Sequence, residues 1–141
     1  IIKTLRDVIG EYDLKPQAIG YDPHNADGIL SDLEEICPVL VEVRQSTKVL
    51  GSATEAFQLD IKSKQVVTDR KNDLLAWSVV NAKYIRNAYN EMKIDKLKRN
   101  QRIDPVDAVI NAITVKQKLS TTEPRDNNAE IDAYLKAMGW D

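Results

Sequence analysis

The sequence predicts an α/β protein, because short β-branched runs alternate with stretches of helical period and the links between them are brief. Residues 17–21 (QAIGY) and 39–43 (VLVEV) are compact apolar runs bounded by turn residues, as buried strands are. Each is preceded by a segment whose apolar residues recur every three or four positions. A helix–strand–helix–strand order with such short links favours parallel strands crossed by helices.

Taken in order, residues 1–12 place Ile1, Leu5, Val8 and Ile9 on one face and Lys3, Arg6 and Asp7 elsewhere, a helix that runs despite Gly10. Residues 13–16 lead into the first strand, which ends at Asp22 and Pro23. Helical spacing returns over 27–36 through Ile29, Leu30, Leu33 and Ile36, and Pro38 stops it before the second strand. Residues 49–65 predict a third helix carrying Ala53, Ala56, Phe57 and Ile61 inward, and 66–68 (VVT) a short edge strand. Asn72 and Asp73 cap a fourth helix through Leu74, Leu75, Trp77, Val79 and Val80, with Trp77 and Phe57 expected in the core. Weak alternation over 84–98 predicts a hairpin of two short strands. A further helix starts within 102–112 and buries Val106, Val109, Ile110 and Ile113. The body of the domain therefore closes near residue 120, and 121–141 read as a polar linker and a short last helix around 131–138.

Composition narrows the chemistry. At 141 residues the chain is one domain by length, and 43% hydrophobic with 30% charged residues suits a folded globular protein. No apolar run approaches the roughly 18–20 residues of a membrane span, and no basic-then-apolar signal segment stands at the start. The chain opens on Ile1-Ile2 without a Met, as an excised piece of a longer protein would. One cysteine, Cys37, makes no internal disulfide and points to a reducing compartment. One Cys and one His, His24, leave nothing for a zinc site of the Cys/His kind, so a catalytic metal would be held by oxygen and would be Mg²⁺ or Mn²⁺. There is no G-x-S-x-G elbow and no glycine-rich phosphate loop. With a net charge of only −2, nucleic-acid binding would need a local basic patch.

Two acid positions stand out. Asp22 ends the first strand at the edge where ligands of open α/β sheets sit, although an Asp before Pro also caps the next turn. His24, two residues on, is in reach of a metal or water, or is a plain turn residue. The run RIDPVDAVINA (102–112) has an Asp at N-cap, Pro at N1 and acid at N3 pattern in Asp104, Pro105 and Asp107. The same spacing lets the Asp104 and Asp107 carboxylates point the same way, one turn apart. Just upstream, 93–102 carries five basic residues, Lys93, Lys96, Lys98, Arg99 and Arg102, against the single acid Asp95. A basic rim beside an acidic centre describes a metal-dependent phosphodiesterase, the rim drawing in a nucleic-acid backbone and the acids holding divalent ions. The bland reading is a solvated hairpin and loop.

The ordered set IGYD (19–22), PHNA (23–26), VRQ (43–45), LAWSVVNA (75–82) and RIDPVDAVINA (102–112) resembles the nuclease domain of tailed-phage terminase large subunits, from about residue 1 to about 115. The resemblance implies a ribonuclease-H-like mixed sheet flanked by helices, with acids clustered over it around two divalent ions, Mg²⁺ or Mn²⁺. It places a metal ligand at Asp22 and another acid at the D-x-x-x-A element from Asp104 to Ala108, with Asp107 in the same element. It implies two-metal hydrolysis of double-stranded DNA during genome packaging in the host cytoplasm, beside a terminase small subunit and a portal protein. The family's ATPase half, and the opening strand that carries its first acid, have no counterpart in these residues. An N-terminally truncated fold with weak metal binding, impaired cleavage and an open sheet edge is then expected. A non-catalytic α/β interaction module, and a resolvase or transposase core, are the competing readings; residues 75–82 favour the terminase by resemblance.

Overall fold

The computed structural model of the protein describes residues 1–69 and 71–122. In chain order these form α1 (Ile2–Glu11), β1 (Ile19–Tyr21), a 3-10 turn (Pro23–Asn25), α2 (Leu30–Ile36), β2 (Leu40–Glu42), α3 (Thr47–Lys62), α4 (Asp73–Val80), β3 (Ala82–Arg86), β4 (Met92–Lys96) and α5 (Asp104–Thr122). The short last helix expected around 131–138 lies outside the described residues.

β1 and β2 pair in parallel, with Ile19 opposite Leu40, Gly20 opposite Val41 and Tyr21 opposite Glu42. β3 and β4 pair antiparallel, as the alternation over 84–98 predicts, and the two pairs are separate two-stranded sheets. The mixed character thus comes from two pairs rather than from one continuous sheet among the described residues. Asn87 builds the hairpin turn: its Oδ1 accepts from the N–H groups of Tyr89 and Glu91, both at 3.0 Å. Asn90 takes the left-handed conformation there (φ 62°), which Asn tolerates better than most residues.

α3 and α5 bind the sheets together. Ser46 caps α3 by accepting from Val49 N–H, and Leu50, Ala53, Thr54 and Phe57 then recur at helical spacing and are all buried. They meet Ile94 from β4 and Val106, Ile110 and Val115 from α5, with Val43 beyond the end of β2. α3 lies so close over β4 that a Cβ added at Gly51 would sit 3.4 Å from the Met92 carbonyl oxygen. α5 crosses the face of β1 that carries Ala18 and Gly20. A Cβ at Gly20 would stand 2.6 Å from a methyl of Val115, so only glycine lets the strand approach the helix this closely.

Three expectations are corrected. Residues 66–68 form no strand, and Val67 is 94% exposed. α3 unwinds just before, at Lys64 (φ 58°), and leaves this segment without a sheet edge to join. Trp77 is 48% exposed rather than core, and Ile61 is also on the surface. α4 carries apolar residues on every side, and the side bearing Leu75, Ser78 and Val79 faces the core; the pattern gave no stripe to choose by. The expected Asn72 cap is present, its Oδ1 accepting from Leu75 N–H at 3.1 Å.

Candidate functional site

β1 delivers Asp22 one residue past its end, on the same face as Ala18 and Gly20, and therefore toward α5. Asp22 is half-buried, and its Oδ1 accepts from His24 N–H at 3.1 Å. The turn-capping role of this acid is thus real, and it occupies one of two carboxylate oxygens. The His24 side chain is exposed.

α5 delivers the other two acids. Asp107 N–H donates to the Ile103 carbonyl at 2.9 Å, so the helix begins one residue earlier than the Asp-Pro pattern suggests. Asp104 is then its first residue, and is exposed, while Asp107 is half-buried. Burial pushes the Asp107 carboxyl up from the ordinary carboxylate range, and the charges of Asp104 and Asp22 push it further up. Lys93 and Lys96 pull the other way. The structure therefore brings Asp22, Asp104, Asp107, Lys93 and Lys96 into one electrostatic neighbourhood with Asp107 at its centre.

The basic residues divide. Lys93 and Lys96 lie on β4, and Lys93 is half-buried with its Nζ donating to the Gln45 carbonyl at 3.0 Å. Lys98, Arg99 and Arg102 are exposed on the loop from β4 to α5. Buried Asn81 grips both ends of that loop: its carbonyl accepts from Leu97 N–H at 2.7 Å, and its Nδ2 donates to the Arg102 carbonyl at 3.2 Å. The loop that carries the three outer cations is thereby fixed at Arg102, two residues before the start of α5.

Two polar residues join the neighbourhood that the sequence reading did not single out. Gln45 Nε2 donates to Asn111 Oδ1 at 3.2 Å and to the Val43 carbonyl at 3.1 Å. Asn111 sits one turn beyond Asp107 on α5, and that four-residue spacing was the available signal.

The donors suit a hard cation in kind: carboxylate oxygens, mutually repelling, with no thiol and no imidazole turned among them. They do not suit a closed cage, since no three His, Cys, Asp or Glu side chains gather into a ligand set among the described residues. Mg²⁺ commonly makes do with one or two carboxylates plus substrate phosphates, keeping several waters, so Asp22 and Asp107 fit that ion.

Two small strand pairs bound by a long helix, with acids at a strand end and a helix start, make this a ribonuclease-H-like α/β fold. Residues 2–119 match the family described as terminase large subunit, endonuclease domain, and the chain belongs to that family. Among solved structures it is similar to the large terminase of bacteriophage HK97, at 25% identity with a TM-score of 0.66. That match covers 81% of this chain and 24% of the HK97 protein, so the chain spans about a quarter of that terminase's length. No curated protein sequence matches it. Among the described residues, no helix is long and apolar enough to cross a membrane.

Proposed function

We propose that this chain is the metal-dependent cutting module of a viral DNA-packaging terminase, hydrolysing phosphodiester bonds of concatemeric double-stranded DNA. The observation that carries the reading is Asp107, a half-buried carboxylate at a helix start whose charge is opposed by Asp22 and Asp104 and supported by Lys93 and Lys96. A half-buried carboxyl whose ionisation is opposed by burial and by neighbouring acids marks a candidate functional site, and a bound cation would relieve that repulsion.

Asp22 and Asp107 would hold the ions, Mg²⁺ or Mn²⁺, with Asp104 at the rim. When bound, such ions activate water and stabilise the leaving 3′ oxygen in an in-line displacement. The chain's own residues do the rest. The carboxylates orient whatever stands between them, the β1–α5 packing at Gly20 fixes their separation, and Lys93 and Lys96 attract the phosphate backbone. Lys98, Arg99 and Arg102, held by Asn81, extend the backbone contact outward. His24 lies at the edge of this track. Two carboxylates alone predict weak intrinsic metal affinity, so slow cleavage by this chain is expected. On this reading its partners would be DNA, a terminase small subunit and a portal protein, and its place the host cytoplasm.

The test is nicking of supercoiled plasmid by the purified chain. Slow Mn²⁺- or Mg²⁺-dependent nicking, abolished by Asp22→Asn and by Asp107→Asn, is expected. Equal nicking in EDTA would sink the metal-dependent reading. The capping bond from His24 N–H to Asp22 supports one rival, a non-catalytic module in which the acids only cap turns. That rival predicts no Mn²⁺-induced broadening of NMR signals around Asp22 and Asp107.

A further inference from the structure

Gln45 stands where β2 hands over to α3, and everything about it is fixed by main chain. Its side-chain NH₂ donates to the Val43 carbonyl at 3.1 Å, and a carbonyl can only accept. The amide therefore cannot be turned over without losing that bond. The same NH₂ reaches Asn111 at 3.2 Å, so Asn111 must present its Oδ1 to Gln45, not its own NH₂. The orientation of one amide sets that of the next. What Asn111 has left to offer is a pair of N–H donors, one turn along α5 from Asp107. The backbone carbonyl of Gln45, which no side-chain change removes, accepts from Lys93 Nζ at 3.0 Å and ties the ammonium to the same point. One residue thus holds two donors, a cation from β4 through its backbone and an amide from α5 through its side chain, beside a cluster whose other members are three carboxylates and Lys96.

We propose that Lys93 and Asn111 form a phosphate-oxygen subsite at the acidic cluster, with the Gln45 side chain as the positioning residue that aims Asn111 and the backbone at the same position holding Lys93. The proposal rests on the nuclease reading and deepens it by assigning who touches the DNA phosphate between the metal-binding acids. Carboxylates alone would repel a phosphate, and two fixed donors on one side give its non-bridging oxygen a place to sit. The Gln45 side chain acts through Asn111 and does not touch the substrate.

The experiment uses the 141-residue chain, a short duplex, and the same duplex carrying a neutral methylphosphonate at one position of the cut strand. Gln45→Glu keeps the shape but has no donor for Val43 or Asn111; Asn111→Ala removes the amide. Single-turnover cleavage at saturating DNA should fall about 10–100-fold in each variant, as loss of outer-shell positioning commonly does. The diagnostic outcome is non-additivity. The methylphosphonate that most slows the unaltered chain should slow the Asn111→Ala and Gln45→Glu variants by much less, because the contact is already gone. A merely structural role for Gln45 would leave the methylphosphonate effect undiminished, and that result overturns the proposal. Lys93→Met, which changes only the tip of a side chain, keeps the test open should either variant fail to fold, and the same loss of methylphosphonate sensitivity is expected. Unchanged rates in all three variants, with cleavage still lost in Asp22→Asn, would reject the subsite and spare the nuclease reading. Absence of metal-dependent cleavage and of DNA binding by the unaltered chain would remove both.

Discussion

The acidic cluster is held between two strand pairs that differ in depth. β3 and β4 run five residues each, and β4 sends Met92 and Ile94 into the core against α3. β1 and β2 run three residues each, and none of the six is fully buried. α1 buries no residue at all and is tied to α2 through an exposed Arg6–Glu35 ion pair at 2.6 Å. The cations of the cluster therefore stand on a hairpin rooted in the core, whereas Asp22 stands on a thin strand pair kept in place chiefly by its contact with α5. Precision at the acid end comes from one close helix–strand approach and not from a deep sheet.

Breaking the core that joins both pairs should cost most. Ile110→Ala, at a fully buried position in contact with both sides, should destabilise the fold by about 2–5 kcal/mol, read from urea unfolding. Gly20→Ala tests the thin side alone. The new methyl would meet Val115 at 2.6 Å, and overpacking of this kind costs about 1–3 kcal/mol. Cleavage should fall more than stability does, because Asp22 moves with the strand, and Val115→Ala in the same chain should restore part of both. A Gly20→Ala chain with unchanged stability and activity would show that the strand pair has slack the packing does not suggest.

The third prediction concerns charge. Asp107 titrates above the ordinary carboxylate range in the folded chain, chiefly through burial and then through Asp104, opposed by Lys93 and Lys96 and joined by Asp22. A folded value raised above the unfolded one means that its contribution is fully favourable below about pH 4, the unfolded range, and is lost as pH rises through the folded value. Asp107→Asn should therefore raise the melting temperature at pH 7 relative to the unaltered chain, with the gap closing below about pH 4. Identical melting curves across that range would mean the acids are too well solvated to repel one another. Smallest of all, Arg6→Ala removes an exposed pair and should change stability by about 0–1 kcal/mol, with no effect on nicking. A larger loss would mean that the α1–α2 contact supports the fold more than its shallow packing implies.

Local patterns carried most of the fold. The Pro23 and Pro38 stops, the β-branched runs and the Asn72 cap each act within a few residues, and the elements they predict are present. What failed was long-range. Nothing local tells an all-apolar helix which side is inward, so Trp77 was misplaced, and VVT at 66–68 has strand composition but no partner edge. The site divides in the same manner. Asp22, Asp104 and Asp107 announce themselves by their turns, but the Gln45–Asn111 bond spans 66 positions in the chain and is visible only once the loop after β2 meets α5. The register of α5 was off by one because Asp-Pro is a strong cap signal, yet the Ile103 carbonyl takes the first helical bond.

α5 has a geometric consequence of its own. Its 19 residues make a rod of about 28 Å, with Gly20 packed near its middle and the acids at one tip. Pivoting about that contact by only ~5° would carry the Asp104 end through about 1 Å, a displacement that can cost a hundredfold in rate when catalytic groups are involved. The tolerance of the cluster is thus angular, and a tilt of the rod too slight to disturb the core would be enough to switch the acids out of alignment.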